Sequence, residues 1–232
     1  MPENLIVLDL ETLHSADDCE YCGVDMALHG PGDLCATGKI GRPLGWTHKA
    51  ALGLSIGCYW DAESLRIHWF DDASLEATMR ELVRRQPLMV SYNGIGFDFA
   101  LMRAVLRERA ASKAAESPLQ RSPVLTLGVL CDQFTVLAAR SYDILAEIWG
   151  VDPQGKFVKG LNSLDAVCAA NGLVHKTGTG AQAPRDWQAG KWAQVLNYCQ
   201  NDVYLTRDLF ALLRAQDGTI LRASGPITLR RP

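Results

Sequence analysis

The chain reads as an α/β protein carrying a loop-rich insertion after its first strand. Three observations predict this. Residues 5–10 form a short apolar, β-prone run of the kind that fills a buried strand. From residue 51 onward, strand-like runs and amphipathic helical patterns follow one another. Between these regions, residues 14–47 are rich in Gly, Asp, His and Cys and show no periodicity. A length of 232 residues suits one domain with such an insertion, and 48% hydrophobic with 21% charged residues is ordinary for a soluble globular chain.

The elements follow in order. Residues 51–60 and 65–70 read as a second and third strand, with 61–64 as the turn between them. Asp72 or Ser74 caps a helix running to about Arg85, with Leu75, Met79 and Leu82 on one face. Pro87 ends that helix, and residues 88–92 read as a short interior strand. Residues 98–111 are helical, with Leu101, Val105 and Leu106 in register, and the polar stretch 112–123 is expected to be exposed. Residues 141–145 suit another strand leading into 146–150. Residues 162–171 form a helix closed by Gly172, and 176–183, rich in Gly and Thr, form a mobile loop. Residues 191–215 carry the last long helix, its buried side marked by Val195, Leu196, Tyr198, Leu205 and Leu209. Residues 1–216 make up the domain, and 217–232 an irregular tail.

Composition narrows the function. A formal net charge of −3 gives no basic footprint for tight duplex binding. The clusters Arg103, Arg107, Arg109 and Arg222, Arg230, Arg231 read as a solvated helix face and a charged tail. No apolar run nears the roughly 18 residues needed to span a bilayer, and no secretory signal leads into Leu5. Seven scattered cysteines, an odd number, suit reduced thiols in a cytoplasm.

Five residues in three separated stretches carry chemistry. Asp9 and Glu11 are two apart on a strand, so both leave from one face, where they repel unless a cation or proton lies between them. Taken alone they also fit a solvated strand end. Asp98 opens a helix after a strand, where a carboxylate ordinarily caps. Asn93 beside it supplies a neutral donor and acceptor, and Gly94 and Gly96 let backbone approach a ligand. Tyr198 and Asp202 are four apart on the last helix and share a face, a spacing that packing alone can also explain. Four carboxylates suffice to hold two hard divalent ions by oxygen ligands. A phenol, with a pKa of about 10, would orient water rather than deprotonate it.

Asp9-Leu10-Glu11, Asn93-x-x-x-Phe97-Asp98 and Tyr198-x-x-x-Asp202 resemble the three motifs of the DEDD (DnaQ-like, ribonuclease H-like) superfamily of 3′–5′ exonucleases. The tyrosine four residues before the last aspartate marks the DEDDy branch; the histidine branch would want His at 197, where Asn197 stands. A closer similarity is to exonucleases related to the proofreading domain of family B DNA polymerases and to the YprB-like ribonuclease H group. It is carried by Gly53-Leu54-Ser55-Ile56-Gly57, Tyr142-Asp143-Ile144-Leu145, Leu161-Asn162-Ser163-Leu164-Asp165 and Tyr198-Cys199-x-x-Asp202-Val203-x-x-Thr206, and spans residues 4–13 and 48–212.

The resemblance implies a ribonuclease H-like fold: a central mixed five-stranded sheet flanked by helices, with the metal site at the sheet's edge. It implies Asp9, Glu11, Asp98 and Asp202 as ligands of two Mg²⁺ or Mn²⁺ ions and Tyr198 as a catalytic partner. It places Thr12, Leu13, Asn93 and Phe97 near the terminal nucleotide. The implied reaction hydrolyses phosphodiester bonds at the 3′ end of single-stranded DNA or RNA and releases nucleoside 5′-monophosphates. The rival readings are a non-catalytic nucleic-acid-binding module on the same fold and a structure-selective endonuclease. Asp143, at a strand end, reads as a supporting residue rather than a ligand. The insertion lies outside the resemblance. Cys19-x-x-Cys22, His29 and Cys35 are zinc-type ligands. Without a second Cys-x-x-Cys they read as incidental loop cysteines, and a zinc there would brace the insertion rather than catalyse.

Overall fold

β1 (Leu5–Leu10) is apolar at every position except Asp9, so both of its faces must be covered. In the computed structural model, which describes residues 4–29, 34–116, 121–173 and 180–231, β1 is the middle strand of a five-stranded mixed sheet. The order is β3-β2-β1-β4-β5. β2 (Ile56–Asp61) runs antiparallel to β1 with Tyr59 opposite Leu8, and β4 (Leu88–Ser91) runs parallel with Val90 opposite Val7. β3 (Ser64–Trp69) pairs with β2 as a hairpin. The two-residue β5 (Tyr142–Asp143) lies parallel to β4 at the far edge.

The pleat of β1 sorts its side chains into two cores. Ile6, Leu8 and Leu10 pack with helices α2 (Asp72–Arg85), α3 (Asp98–Glu116) and α4 (Arg121–Ala138), and α1 (Lys49–Leu52) joins them through Leu52. Leu5 and Val7 point the other way. There they meet α5 (Ile144–Val151), α6 (Leu164–Ala170) and the long α8 (Trp192–Ala215), which buries Val195, Cys199, Val203, Leu209 and Phe210. A short α7 (Ala183–Gln188) precedes α8. Among the described residues no helix is long and apolar enough to cross a membrane.

Several boundaries differ from the sequence reading, each for a physical reason. Residues 49–52 form a helical turn rather than the start of a strand. The amides of Leu13 and His14 bond the Leu52 carbonyl, and Gly53 at φ +64° turns the chain before β2 begins at Ile56. The cap of α2 is Asp71, which accepts from Ser74 N at 2.7 Å while its own amide donates to Ser74 Oγ at 2.9 Å. α3 continues to Glu116. α4 went unread because Pro123 and Gly128 weaken its helical pattern, yet burial of Leu127, Leu130, Phe134 and Leu137 outweighs that propensity. Of the stretch expected to be exposed, 117–120 lie outside the described residues, as do 176–179 of the glycine- and threonine-rich loop.

The C-terminal segment is not an irregular tail. β6 (Thr219–Arg222) and β7 (Gly225–Thr228) form a hairpin whose Ile220 and Ile227 are buried in the α8-side core. Its arginines are engaged as well: Arg222 pairs with Asp152 at 2.7 Å, Arg230 with Glu147 at 2.7 Å, and Arg231 with Asp217.

Phe134 is fully buried and meets Phe99 edge-on at 6.1 Å. Phe134→Ala should cost about 3–5 kcal/mol of unfolding free energy by urea denaturation. A loss below about 1 kcal/mol would contradict the placement of α4 in the core.

Candidate functional site

The alternation that buries Leu5 and Val7 beneath α8 carries Asp9, and Glu11 just beyond the strand, toward the same helix. The ladder persists past β1: Glu11 N donates to Ile56 O at 2.8 Å, and Ser55 N donates to Glu11 O at 3.0 Å. α8 presents Tyr198 and Asp202 on successive turns, and its Cys199 thiol donates to the Asp9 carbonyl at 3.4 Å. Asp98 arrives from the other side, as the first residue of α3 after the turn that follows β4. That turn is closed by Phe97 N to Asn93 O and by Phe99 N to Gly94 O, both at 2.8 Å.

Asp98 does not cap α3. It lies in the first turn of the helix, and its carboxylate accepts the backbone N–H groups of Asp98 and of Leu10, tying α3 to the end of β1. Asp9, Glu11, Asp98, Tyr198 and Asp202 all line one cleft of about 530 Å³. The cleft lies off the carboxyl end of the central strand rather than beside an outer strand of the sheet.

Asp143 does not line this cleft. It is buried and accepts from Asn93 N at 2.9 Å, Ile95 N at 2.8 Å and Ala146 N at 3.2 Å, so one carboxylate caps α5 and holds the turn that delivers Asp98. Both glycines of that turn are required by internal crowding, and Gly96, unlike Gly94, also lines the cleft. A Cβ on Gly94 would lie 2.3 Å from Ser91 Oγ, and one on Gly96 would lie 2.6 Å from Asn93 Oδ1. Asn93 itself takes a left-handed φ of +73°.

Of the residues expected near the terminal nucleotide, Thr12, Asn93 and Phe97 line the cleft. Leu13 does not; it packs against Gly53, where a Cβ would come within 2.8 Å of it. Leu10 and Gly96 line it too, as do Trp46, Lys49, Tyr92, Gly180 and Ala181, which were missed by the sequence reading. Trp46 meets Phe97 edge-on at 5.9 Å, and Lys49 Nζ sits 4.9 Å from the centre of the same ring. Gly180 runs so close that a Cβ there would lie 3.3 Å from the Tyr198 hydroxyl. An aromatic and a lysine at the end of an aperiodic insertion carry no spacing signal; only the fold brings them to the acids.

Glu11, Asp98 and Asp202 are 6%, 3% and 6% exposed, so their charges are poorly solvated. Burial, followed by the negative charge of Asp143, pushes Asp98 up to about 8; the N–H groups of Asp98 and Leu10 oppose this in part. The Tyr198 phenol is held far above its ordinary value, first by burial and then by Asp202, Glu11 and Asp9, and its hydroxyl hydrogen-bonds Asp202. Burial lowers Lys49, against the pull of Asp98. Closely held carboxylates, a protonated phenol and one lysine can bind cations and orient a polar ligand. No protein-family model and no curated protein sequence matches the chain.

Two outcomes follow. Asp143→Ala strands backbone donors and should lower stability by about 3 kcal/mol in denaturant unfolding; an unchanged midpoint would contradict its role in the turn. Folded Asp98 keeps its proton to a higher pH than the unfolded chain, whose carboxyl titrates near 3.8. Its contribution to stability is therefore complete at acid pH and is lost as pH rises through about 8. In EDTA the melting temperature should fall across that window, and less steeply in Asp98→Asn. Equal slopes in the two proteins would overturn the assignment.

Proposed function

We propose that the protein is a DEDDy-type 3′–5′ exonuclease of ribonuclease H-like fold. In this reading it releases nucleoside 5′-monophosphates from the 3′ end of single-stranded DNA or RNA in the cytoplasm. One observation carries the reading: Asp9, Glu11, Asp98, Tyr198 and Asp202, drawn from three distant segments, line a single cleft. The five-stranded mixed sheet flanked by helices is the coarse architecture that the resemblance implies.

The donor set fits hard divalent cations. Asp9, Glu11, Asp98 and Asp202 offer carboxylate oxygens, and among the described residues no thiol or imidazole lines the cleft. Two Mg²⁺ or Mn²⁺ ions bound by these carboxylates would supply an acidified water and positive charge against the scissile phosphate. The residues of the chain do the rest. Tyr198 keeps its proton, so it serves as a hydrogen-bond donor that orients rather than as a base. Phe97 and Trp46 offer aromatic surface for a terminal base, and Lys49 offers a cation for a phosphate. Asn93 presents an amide at the cleft, and Thr12, whose hydroxyl donates to His14 O at 2.9 Å, shapes the floor.

A time course on 5′-labelled single-stranded DNA and RNA with Mn²⁺ should show stepwise shortening that EDTA abolishes. Asp202→Ala should lose about 1,000-fold or more in rate, and Tyr198→Phe on the order of 10- to 100-fold. Binding without shortening in any metal would favour a non-catalytic module. Cuts in a circular strand would favour an endonuclease.

A further inference from the structure

The insertion between β1 and α1 holds a second cluster of ligand side chains, far in chemistry from the carboxylates of the cleft. We propose that Cys19, Cys22, His29 and Cys35 bind one zinc ion, which cross-links the insertion and sets the wall of the cleft that carries Trp46 and Lys49. The ligand order in the chain is Cys-x2-Cys-x6-His-x5-Cys.

Geometry brings three of the four together. Ligand atoms of Cys19, Cys22 and His29 lie within 4.8 Å of one another, with Cys22 Sγ 3.5 Å from His29 Nε2. Cys35 lies outside this group of three; its thiol hydrogen-bonds Thr37 Oγ1 at 3.0 Å, with the Cys19 thiol as a neighbour, and would turn in as the fourth ligand. Tetrahedral zinc with bonds of about 2.3 Å to sulfur sets its ligand atoms roughly 3.8 Å apart, so small adjustments bring Cys19, Cys22 and His29 onto one ion and Cys35 turns in to close the site.

The backbone is shaped twice for a cysteine ligand. In the first turn Gly23 N donates to Cys19 O at 2.8 Å, Cys19 N donates to Val24 O at 2.7 Å, and the Val24 amide donates to Cys22 Sγ. In the second, Gly38 N donates to Cys35 O and Cys35 N to Lys39 O, both at 2.8 Å, and the amides of Thr37 and Lys39 donate to Cys35 Sγ. Each turn needs a left-handed glycine, Gly23 at φ +70° and Gly38 at φ +75°. Incidental loop cysteines have no need of two such cradles.

The insertion also needs a cross-link. Among its described residues the buried hydrophobic side chains are Ala16, Cys19, Cys35 and Leu44, too few to hold a segment of this length by burial. All seven cysteines are free thiols, so no disulfide supplies the restraint. Metal binding converts ligand affinity into folding free energy.

The restraint reaches the cleft through the backbone. Glu20 N donates to Arg42 O, Cys19 bridges Pro43, Leu44 N donates to Asp18 O, and Gly45 N donates to Ala16 O. Trp46 follows directly and enters the cleft wall. On the outer side Arg185 of α7 pairs with Asp25 at 2.9 Å, and Gln188 donates to Leu13 O and to Asp18 Oδ2.

The test is metal content of the full chain, purified without chelator from zinc-supplied cells. Elemental analysis should find about one zinc per chain. Replacement by Co²⁺ should give thiolate-to-cobalt charge-transfer bands and tetrahedral d–d bands. Cys22→Ser and Cys35→Ser should each drop zinc below about a tenth of an equivalent, whereas Cys58→Ser and the cleft variant Asp9→Asn should retain it. Should the cysteine variants fail to fold, the cobalt spectrum of the unaltered chain decides alone. Wild-type protein without zinc and without those bands would overturn the proposal. So would zinc that follows Asp9→Asn rather than the cysteine variants, or an intact mass showing these thiols oxidised to disulfide.

Discussion

Holding Asp9, Glu11, Asp98 and Asp202 around one poorly solvated cleft is the constraint on which the rest of the structure depends. Carboxylates so placed repel and are starved of water, and Asp98 answers by keeping its proton far above the usual carboxylate range. Such an arrangement persists only where the surrounding fold over-determines it. β1 does so by being buried on both faces, so that its polar odd positions cannot rotate away from α8. α8 does so by burying Cys199 and Val203 in the core between and beside Tyr198 and Asp202.

Asp98 is held differently, and the contrast is instructive. It is the first residue of α3, and the turn that leads into that helix is fixed by a carboxylate outside the cleft. Asp143 converts the amides of Asn93, Ile95 and Ala146 into one rigid joint between β4, β5, α3 and α5. The insertion supplies the remaining wall. Its turns at Cys19–Gly23 and Cys35–Gly38 pair back onto the chain that ends at Trp46, so order at the cysteines and order at the cleft are coupled. A cleft with an acidic floor and an aromatic, partly cationic wall thus draws on every layer of the fold.

Much of this was legible in the sequence because the physics involved is local. The period-two pattern of β1 put Asp9 and Glu11 on one face, and the four-residue spacing of Tyr198 and Asp202 put them on another. What stayed hidden depends on distant partners. Nothing near Asp143 announces that its acceptors will meet amides some 50 residues away. Trp46, Lys49 and Gly180 join the cleft only through tertiary packing. The C-terminal hairpin looked irregular because its two strands are four residues each, and their burial comes from α5, α6 and α8 rather than from their own pattern. The zinc-type ligands were visible as residues, but the convergence of Cys19, Cys22 and His29 depends on backbone turns that spacing does not encode.

The central claim is that the acids form one binding site for a pair of divalent ions. The most direct measurement is an anomalous difference map from crystals of the full chain soaked in Mn²⁺. Two peaks about 3.5–4 Å apart, flanked by Asp9, Glu11, Asp98 and Asp202, are the predicted result. A cleft empty of anomalous density in crystals that take up Mn²⁺ elsewhere would contradict it.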